Sequence, residues 1–142
     1  MKPLNTSFAE AVANSFAQQS IMNLIGARLA RVEPGVVEIE LPFRADLTQQ
    51  NGHLHAGVIT TMADSAAGYA AHTLMPAGSR VLSIEFKVNL LRPARGEMFV
   101  ARAEVIKAGR TLTVVRADVF ALRTNSEKEL VATMQGTMMC LR

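Results

Sequence analysis

The sequence has little cysteine, few aromatic residues and no run of like charge. Cys140 is the single cysteine in 142 residues, so no intramolecular disulfide can form and no cysteine pair is offered to a metal. Tryptophan is absent, aromatic residues make up 5%, and the basic residues are scattered, with a net charge of +3. Proteins that bind nucleic acid more often carry a basic stripe with interleaved aromatic residues. We therefore expect no nucleic-acid partner, and the spacing of the histidines predicts no metal site.

The sequence also lacks the marks of a secreted or membrane protein. Its first residues, MKPLNTSFAEAVANSF, carry acid and amide groups and no uninterrupted apolar core, so we expect neither a signal peptide nor a membrane span. Apolar residues make up 49% and charged residues 19%, a balance typical of globular proteins. We predict a single domain over residues 1–142 that works in the cytoplasm.

Hydrophobic spacing predicts one short helix, one long helix and six strands. Ser7 and Glu10 have the spacing of a capping box, and apolar residues then recur at helical intervals over about residues 7–19. The stretch GARLARVEPGVVEIELPF indicates two strands around a type II turn with Gly35 at its positive-φ position. Four alternating or β-rich stretches follow, VLSIEFKVNLL, EMFVARAEVI, TLTVVRADVFAL and LVATMQGTMMCL. This order predicts an α+β fold with an antiparallel sheet.

The long helix, predicted at about residues 56–74, is apolar almost all round. Such a helix has to be covered on most sides, so we expect the sheet to curl about it. Even a curled sheet leaves part of the helix and one strand edge open, and a second copy of the chain is the simplest cover. We therefore predict a homodimer, and leave open whether two dimers form a homotetramer.

One carboxylate, Asp64, lies in the middle of this helix. Burying an unpaired carboxylate costs several kcal/mol. Its neighbours at helical spacing are small or polar, so Asp64 faces a groove. Two interpretations stay open at this point: an ion pair with a strand residue such as Arg92, or a general base or nucleophile in a cleft.

The start of the same helix, at His55-Ala56-Gly57, suits a developing negative charge. The first backbone N–H groups of a helix have no internal partner and lie at the positive end of its dipole, although any helix start shares this property. Eight residues separate Ala56 from Asp64, a rise of about 12 Å. A group that attacks a carbonyl held at Ala56 has to approach within roughly 3 Å of it. We therefore predict that Asp64 acts on a carbonyl held at the partner's helix start, giving two sites per dimer.

The stretch HLHAGVITTMADSAAGYAA, within this order of helices and strands, resembles the hotdog-fold acyl-CoA thioesterases, and most of all their PaaI-type branch. The resemblance implies an antiparallel sheet of about six strands wrapped round one long central helix. It also implies hydrolysis of a small aromatic or short- to medium-chain acyl-CoA to free acid and CoA. CoA is then part of the substrate, and no further cofactor is expected.

The resemblance implies roles for two residues of the central helix and for the histidine just before it. Asp64 matches the acid that acts as general base on water or as nucleophile. Ala56 matches the residue, usually glycine, whose backbone N–H polarises the thioester carbonyl. His55 matches the histidine beside that N–H.

One further part of the implied site departs from the family pattern, and another depends on the shape of its strand. An asparagine usually stands where this chain has Gln49, so Gln49, Gln50 or Asn51 could supply the side-chain amide. Ser83 matches a strand serine or threonine that helps to hold the attacking water. Because Ser83 lies on the polar side of its strand's alternation, this role requires the strand to twist or bulge.

The resemblance places the anionic CoA along loops at the subunit junction. The candidate contacts for its phosphates are the basic residues of LLRPARG and KAGRT, namely Arg92, Arg95, Lys107 and Arg110.

Two alternatives to a thioesterase remain: a non-catalytic acyl-CoA-binding or regulatory dimer, and a hotdog hydratase or dehydratase. Hydratases and dehydratases usually place a catalytic histidine on the helix or pair it with an acid at another spacing.

Overall fold

The computed structural model describes residues 1–125 and 127–142. Two short helices begin the fold, α1 at Phe8–Gln18 and α2 at Ser20–Ile25, and the long helix α3 covers Ala56–His72. The strands are β1 at Arg28–Glu33, β2 at Val36–Pro42, β3 at Arg80–Leu90, β4 at Met98–Ala108, β5 at Leu112–Leu122 and β6 at Lys128–Leu141. A single 3-10 turn, Ala45–Leu47, interrupts the loop between β2 and α3.

All six strands form one antiparallel sheet in the order β1-β2-β4-β5-β6-β3. Helix α3 packs against every strand from β2 to β6, so the sheet wraps around it. This arrangement confirms the predicted α+β hotdog fold. It also leaves β1 and β3 as the two edge strands, and β3 lies beside the half of α3 that contains Asp64.

The first hairpin follows the predicted pattern. Gly35 has φ +79°, the conformation that the turn requires and that glycine adopts without steric cost. On β2 the apolar side chains are fully buried, while the intervening glutamates are half-buried on the outer face of the sheet; the buried set is Val37, Ile39 and Leu41. The alternation thus placed this strand correctly.

The outer face of the sheet is covered by charged side chains that pair across strands. Arg31 of β1 and Arg102 of β4 both approach the carboxylate of Glu38 on β2, at 3.5 Å. On β5, Arg116 contacts Asp118 at 2.9 Å. The sheet therefore has a polar outer surface, and its apolar surface faces α3.

Helix α3 is two residues shorter than predicted because its last turn tightens. The N–H groups of Leu74 and Met75 bond carbonyls three residues back rather than four, at Ala71 and His72. Thr73 ties this turn to the first hairpin, because its hydroxyl accepts from the Gly35 N–H at 2.7 Å.

The expected capping box at the start of α1 does not form. Ser7 has φ −96° and ψ 28°, outside the extended conformation of a typical N-cap, and its side chain caps no helix N–H. Its own N–H instead donates to the side chain of Asn5. At the other end Gln19 is extended, so the chain breaks there before α2 begins.

Candidate active site

Asp64 is hydrogen-bonded to Ser83 of the edge strand. The Ser83 hydroxyl donates to the Asp64 Oδ1 at 2.6 Å and also contacts the sulfur of buried Met138. Both residues are half-buried. The structure therefore brings two of the predicted site residues together, with one carboxylate oxygen held and the second without a protein partner in the described chain.

A β-bulge turns Ser83 towards the helix. The register between β3 and β6 shifts after Ser83, which pairs with Met138, so that the next pair is Glu85 with Thr137. Beyond the bulge it is the even-numbered residues of β3, such as Phe86, that pair with buried positions of β6. The odd-numbered side chains of β3 therefore face the helix before the bulge, and the even-numbered ones face it after the bulge. The strand thus has the bulge that the predicted role of Ser83 requires.

The ion pair between Asp64 and Arg92 does not form. Arg92 contacts Glu129 at 2.8 Å instead. Among residues 1–125 and 127–142, no basic side chain lies within ion-pair distance of Asp64. The interpretation of Asp64 as one half of an ion pair with Arg92 is therefore wrong.

Asp64 borders a cavity of about 350 Å³, here called the Asp64 cavity. It lies between α1, the middle of α3 and the beginning of β3, and is lined by Ser15, Gln18, Gln19, Asp64, Ser65, Gly68, Tyr69, Val81 and Ser83. Seven of these nine residues carry polar side chains.

The start of α3 leaves one backbone donor free. His55 is the N-cap, and its Nδ1 accepts from the Gly57 N–H at 2.8 Å. The N–H groups of Val58 and Ile59 both donate to the His55 carbonyl. Within the described residues the Ala56 N–H has no acceptor, so the helix dipole and this one donor are available to a bound oxygen.

Because His55 accepts the hydrogen bond of the Gly57 N–H, the Ala56 N–H is the backbone donor left without an acceptor in the described chain. Because Nδ1 accepts a hydrogen bond, the neutral ring carries its proton on Nε2. An added Cβ on Gly57 would lie 3.0 Å from Nδ1, so the cap depends on the small residue beside it.

A second cavity, of about 530 Å³, opens at this helix start and is here called the Ala56 cavity. Gln49, Asn51, Ala56 and Arg92 are among its lining residues. The Gln49 Oε1 accepts from the N–H groups of Asn51 and His53, which leaves the amide nitrogen of Gln49 as a donor. Gln50 does not line this cavity.

The predicted site residues therefore form two separate groups in one chain. Asp64 and Ser83 line the Asp64 cavity, whereas Gln49, Asn51 and Ala56 line the Ala56 cavity. Both groups depend on α3, whose unbroken course from Ala56 to His72 keeps Ala56 and Asp64 about 12 Å apart along the axis.

The four predicted CoA contacts also fall into two groups. Arg92 and Arg95 follow β3, at the end of the sheet where α3 begins, and Arg95 contacts the ring of His53. Lys107 and Arg110 lie at the turn between β4 and β5. The 11 residues of β4, from Met98 to Ala108, separate the two ends by about 33 Å.

Two basic residues that sequence reasoning missed lie beside Arg92. Arg123 lines a surface cavity together with Arg92 and Arg95, and Lys128 lines the adjoining one. Arg123 follows the end of β5 and Lys128 begins β6, so the antiparallel register of these strands could have indicated their position.

The N-terminal helices contribute residues that sequence reasoning also missed. Ser15 and Gln19 lie on the same helical stripe as buried Val12 and Phe16, and polar residues on an apolar stripe were the available signal. The Ser15 hydroxyl lies 3.3 Å from the hydroxyl of Tyr69. Burial raises the pKa of that phenol, and the hydrogen bond to Ser15 partly offsets the rise.

The edge strand β3 exposes several large apolar side chains. Leu82 is 52% exposed and Leu90 is 55% exposed, and Ile84 and Phe86 are also exposed. Unpaired backbone groups and apolar side chains together make such an edge a surface that another strand can pair with.

No helix among the described residues is long and apolar enough to span a membrane. In the same part of the chain, no group of three His, Cys, Asp or Glu side chains could hold a metal ion.

Comparison with known proteins gives consistent relatives. Residues 51–127, which include His55, Ala56, Asp64 and Ser83, match the thioesterase superfamily. A protein of Saccharolobus solfataricus whose name assigns it to the esterases is 34% identical over 125 residues, covering 88% of this chain and 80% of that one. The medium/long-chain acyl-CoA thioesterase YigI of Escherichia coli is 31% identical over 99 residues, 61% of either chain.

Solved structures with the same architecture were also found. A thioesterase family protein from Silicibacter pomeroyi is 51% identical, with a TM-score of 0.92 over 94% of this chain and 98% of that one. The PaaI protein of E. coli, from the phenylacetic acid degradation operon, has a TM-score of 0.84 over 98% and 96% of the two chains. Its identity of 16% makes this a likeness of fold, so the PaaI-type branch stays a prediction.

Proposed function

The chain belongs to the thioesterase superfamily and is a thioester hydrolase, and on this premise we propose that its substrate is an acyl-CoA, which water converts into a free acid and CoA. The observation that carries this proposal is the pair of functional groups on α3. Among the described residues its first N–H, at Ala56, has no acceptor, and its single carboxylate, Asp64, accepts from Ser83 through one oxygen and has no partner on the other.

In the proposed reaction the thioester carbonyl accepts a hydrogen bond from the Ala56 N–H. The amide nitrogen of Gln49 is the better placed second donor, because its Oε1 is already bonded to loop N–H groups. These donors stabilise the negative charge that develops on the carbonyl oxygen when the carbon is attacked. Asn51 lines the same cavity but is exposed, so its side chain is less restrained.

Asp64 supplies the attack. As a general base it takes a proton from water, the hydroxide adds to the carbonyl carbon, and the C–S bond then breaks as the sulfur receives that proton. As a nucleophile its oxygen adds to the same carbon, CoA leaves, and water hydrolyses the resulting anhydride. The Ser83 hydrogen bond orients the carboxylate for either route.

A single turnover in ¹⁸O-labelled water separates the two routes. In the nucleophilic route, water that attacks the Asp64 carbonyl carbon of the anhydride leaves its ¹⁸O in the Asp64 carboxylate and the product acid unlabelled, whereas the general-base route places the label in the product acid only. Mass spectrometry of the peptide that contains Asp64 reads the difference.

We propose that each site is shared between two chains. Asp64 cannot reach a carbonyl held at the Ala56 of its own rigid helix, about 12 Å away. If two α3 helices pack antiparallel across a twofold axis, each Asp64 approaches the partner's helix start. The exposed apolar edge of β3 supports this assembly, because pairing two β3 strands buries its side chains and satisfies its free backbone groups.

The same assembly explains the divided basic residues. An antiparallel twofold arrangement brings the β4–β5 turn of one chain towards the end of the sheet at which the other chain's α3 begins. Arg92 and Arg95 of one chain, with Lys107 and Arg110 of the other, could then contact the phosphates of one CoA. Arg123 and Lys128 extend the basic surface beside Arg92.

The first experiment measures release of free CoA thiol from a panel of acyl-CoAs with Asp64→Asn and Asp64→Ala variants. We expect kcat to fall by at least about 10²-fold with the fold intact. Asp118→Asn is a matched control, since Asp118 also accepts from a hydroxyl at 2.6 Å, that of Thr133, but lies on the outer face of the sheet. Thiol release at the wild-type rate by the Asp64 variants would show that the assignment is wrong.

The shared site has its own test, in which inactive Asp64→Ala and Ala56→Pro chains are unfolded together and refolded as a mixture. Half of the dimers then contain one chain of each kind, and each mixed dimer regenerates one intact site. We expect about a quarter of the wild-type activity. A site formed within one chain predicts no recovery at all.

A further inference from the structure

A glutamate lies between two arginines at the end of the sheet where α3 begins. The Glu129 Oε1 accepts from Arg92 at 2.8 Å, and its Oε2 accepts from Arg123 at 3.2 Å. Resting on the proposed function, we propose that Glu129 occupies the position that a phosphate group of CoA takes, and that CoA displaces it on binding. Glu129 is then a specificity-determining residue, because a ligand needs phosphate groups to replace its carboxylate.

The backbone brings these three residues together. The N–H of Arg92, just after β3, donates to the carbonyl of Val131, which lies two residues beyond Glu129 on β6. Arg123 follows β5, and its N–H donates to the carbonyl of Glu127, two residues before Glu129. Both arginines are therefore anchored beside the carboxylate at the start of β6. Their meeting is a consequence of strand pairing and not of two flexible side chains that happen to lie near.

Basic side chains outnumber acidic ones around this carboxylate. The basic residues that line the two surface cavities beside it are Arg92, Arg95, Arg123 and Lys128. Among the described residues that line these cavities, the acidic ones are Glu127 and Glu129. The surroundings are thus positive even with Glu129 in place, and they attract an anion with more charge than one carboxylate.

Arg92 joins these surface cavities to the place proposed for the thioester. It also lines the Ala56 cavity, at whose helix start the carbonyl is proposed to bind. A CoA ester held there leaves the Ala56 cavity past Arg92, so its phosphate groups meet the arginines that Glu129 contacts. In the free enzyme the carboxylate therefore stands in for a phosphate.

The contacts of Glu129 are weak enough for a phosphate to break. The side chains of Arg92 and Arg123 are 64% and 44% exposed, and ion pairs between exposed side chains contribute little to stability. A terminal phosphate carries about two negative charges and three acceptor oxygens, and it forms bidentate contacts with arginine. It can replace a carboxylate of single charge, whereas the uncharged pantetheine arm of CoA cannot.

The test compares the wild type with Glu129→Gln, which keeps the size of the side chain and one acceptor oxygen but carries no charge. Calorimetry gives the Kd of CoA, and thiol release gives kcat/KM for an acyl-CoA and for the corresponding acyl-pantetheine. We expect the Kd of CoA to fall by at least about threefold, because the group that competes with phosphate has been weakened. The kcat/KM for acyl-pantetheine, which has the same thioester and no phosphate, should stay within about twofold of the wild type.

An increase in affinity is a sharp readout, since damage to the β5–β6 turn would weaken binding. Glu38→Gln is the matched control. Glu38 also lies between two arginines, Arg31 and Arg102, and is 24% exposed against 28% for Glu129, but it lies on the outer face of the sheet. This substitution should leave the Kd of CoA unchanged.

Three results would overturn the inference. The first is a Kd of CoA that stays the same or rises in Glu129→Gln. The second is an equal gain in Glu38→Gln, which would make net charge the cause. The third is an equal gain in kcat/KM for acyl-pantetheine, which would show that phosphate is not involved. Hydrolysis of acyl-CoA by the wild type keeps the proposed function in each of these cases, whereas failure to release CoA from any ester overturns both.

Discussion

Replacing Ala56 by proline removes one hydrogen-bond donor and should leave the fold unchanged. Proline at the first position of a helix is favoured, because the N–H that it lacks has no internal partner there. His55, the residue before it, has φ −62° and ψ 139°, the extended conformation that a residue preceding proline adopts. The Ala56 N–H has no acceptor in the described chain, so no internal hydrogen bond is lost.

The expected loss of activity follows from the role of that N–H. Removing one donor to a developing oxyanion costs about 10²–10³-fold in kcat, or roughly 2.7–4 kcal/mol of transition-state stabilisation. The free energy of unfolding should change by no more than about 0.5 kcal/mol, as at other sites where packing and hydrogen bonds are kept. A large kinetic effect with almost no change in stability is the signature of the proposed donor.

The assay compares thiol release and denaturant unfolding for the wild type, Ala56→Pro and Ala56→Gly. Glycine keeps the N–H, so the Ala56→Gly enzyme should remain close to wild-type activity. A non-hydrolysable alkyl-CoA thioether, which has no carbonyl, should bind Ala56→Pro with unchanged Kd, and this result would show that the proline ring does not block entry. An Ala56→Pro enzyme that is folded and keeps wild-type kcat would refute the assignment of the Ala56 N–H.

Substitutions at four other residues test the neighbouring parts of the structure. Ser83→Ala should lower kcat by about 10- to 100-fold with little change in KM, because the carboxylate loses a charged hydrogen bond, and Ser83→Thr should restore part of the rate. Gly136→Ala should lower the unfolding free energy by about 1–3 kcal/mol, since its Cβ would lie 2.9 Å from the backbone oxygen of Glu85, whereas Gly68→Ala, with nothing nearer than 3.9 Å, should raise it by about 0.5–1 kcal/mol. Denaturant unfolding measures both, and equal effects of the two alanines would contradict the close approach. Burial raises the pKa of Tyr69 above 10.0, so the phenol ionises first in the unfolded chain and the unfolding free energy should fall as pH rises past 10.0. Tyr69→Phe should remove this part of the pH dependence. An identical pH profile in the variant would show that the dependence has another source.

The sequence predicted the elements well where one regular pattern extended over many residues. The unbroken apolar stretch after His55 indicated a long buried helix, and alternation on β2 identified its buried side chains. It was less reliable where the pattern broke. At Ser7 the spacing of a capping box was present, but the backbone conformation that such a box needs was not.

The candidate site could be predicted only in part, because some of its residues lie where a regular sequence pattern breaks. Asp64 stood out because a lone carboxylate in an apolar helix is costly, and His55 and Ala56 because they begin that helix. The direction of Ser83 could not be read, because one extra residue in β3 reverses which face a side chain takes. The polar residues of α1 were not predicted as cavity residues, because that role depends on which distant segments of the chain they face in the fold.

The sequence by itself determined the central helix, its single acid and the distance along the helix from that acid to the first N–H, because helical rise is a local property. Tertiary structure alone decided which side of β3 bears Ser83, which N–H the His55 cap leaves free, and that Arg92 pairs with Glu129 and not with Asp64. These depend on strand register, capping geometry and the meeting of distant segments, and local residue patterns do not encode them.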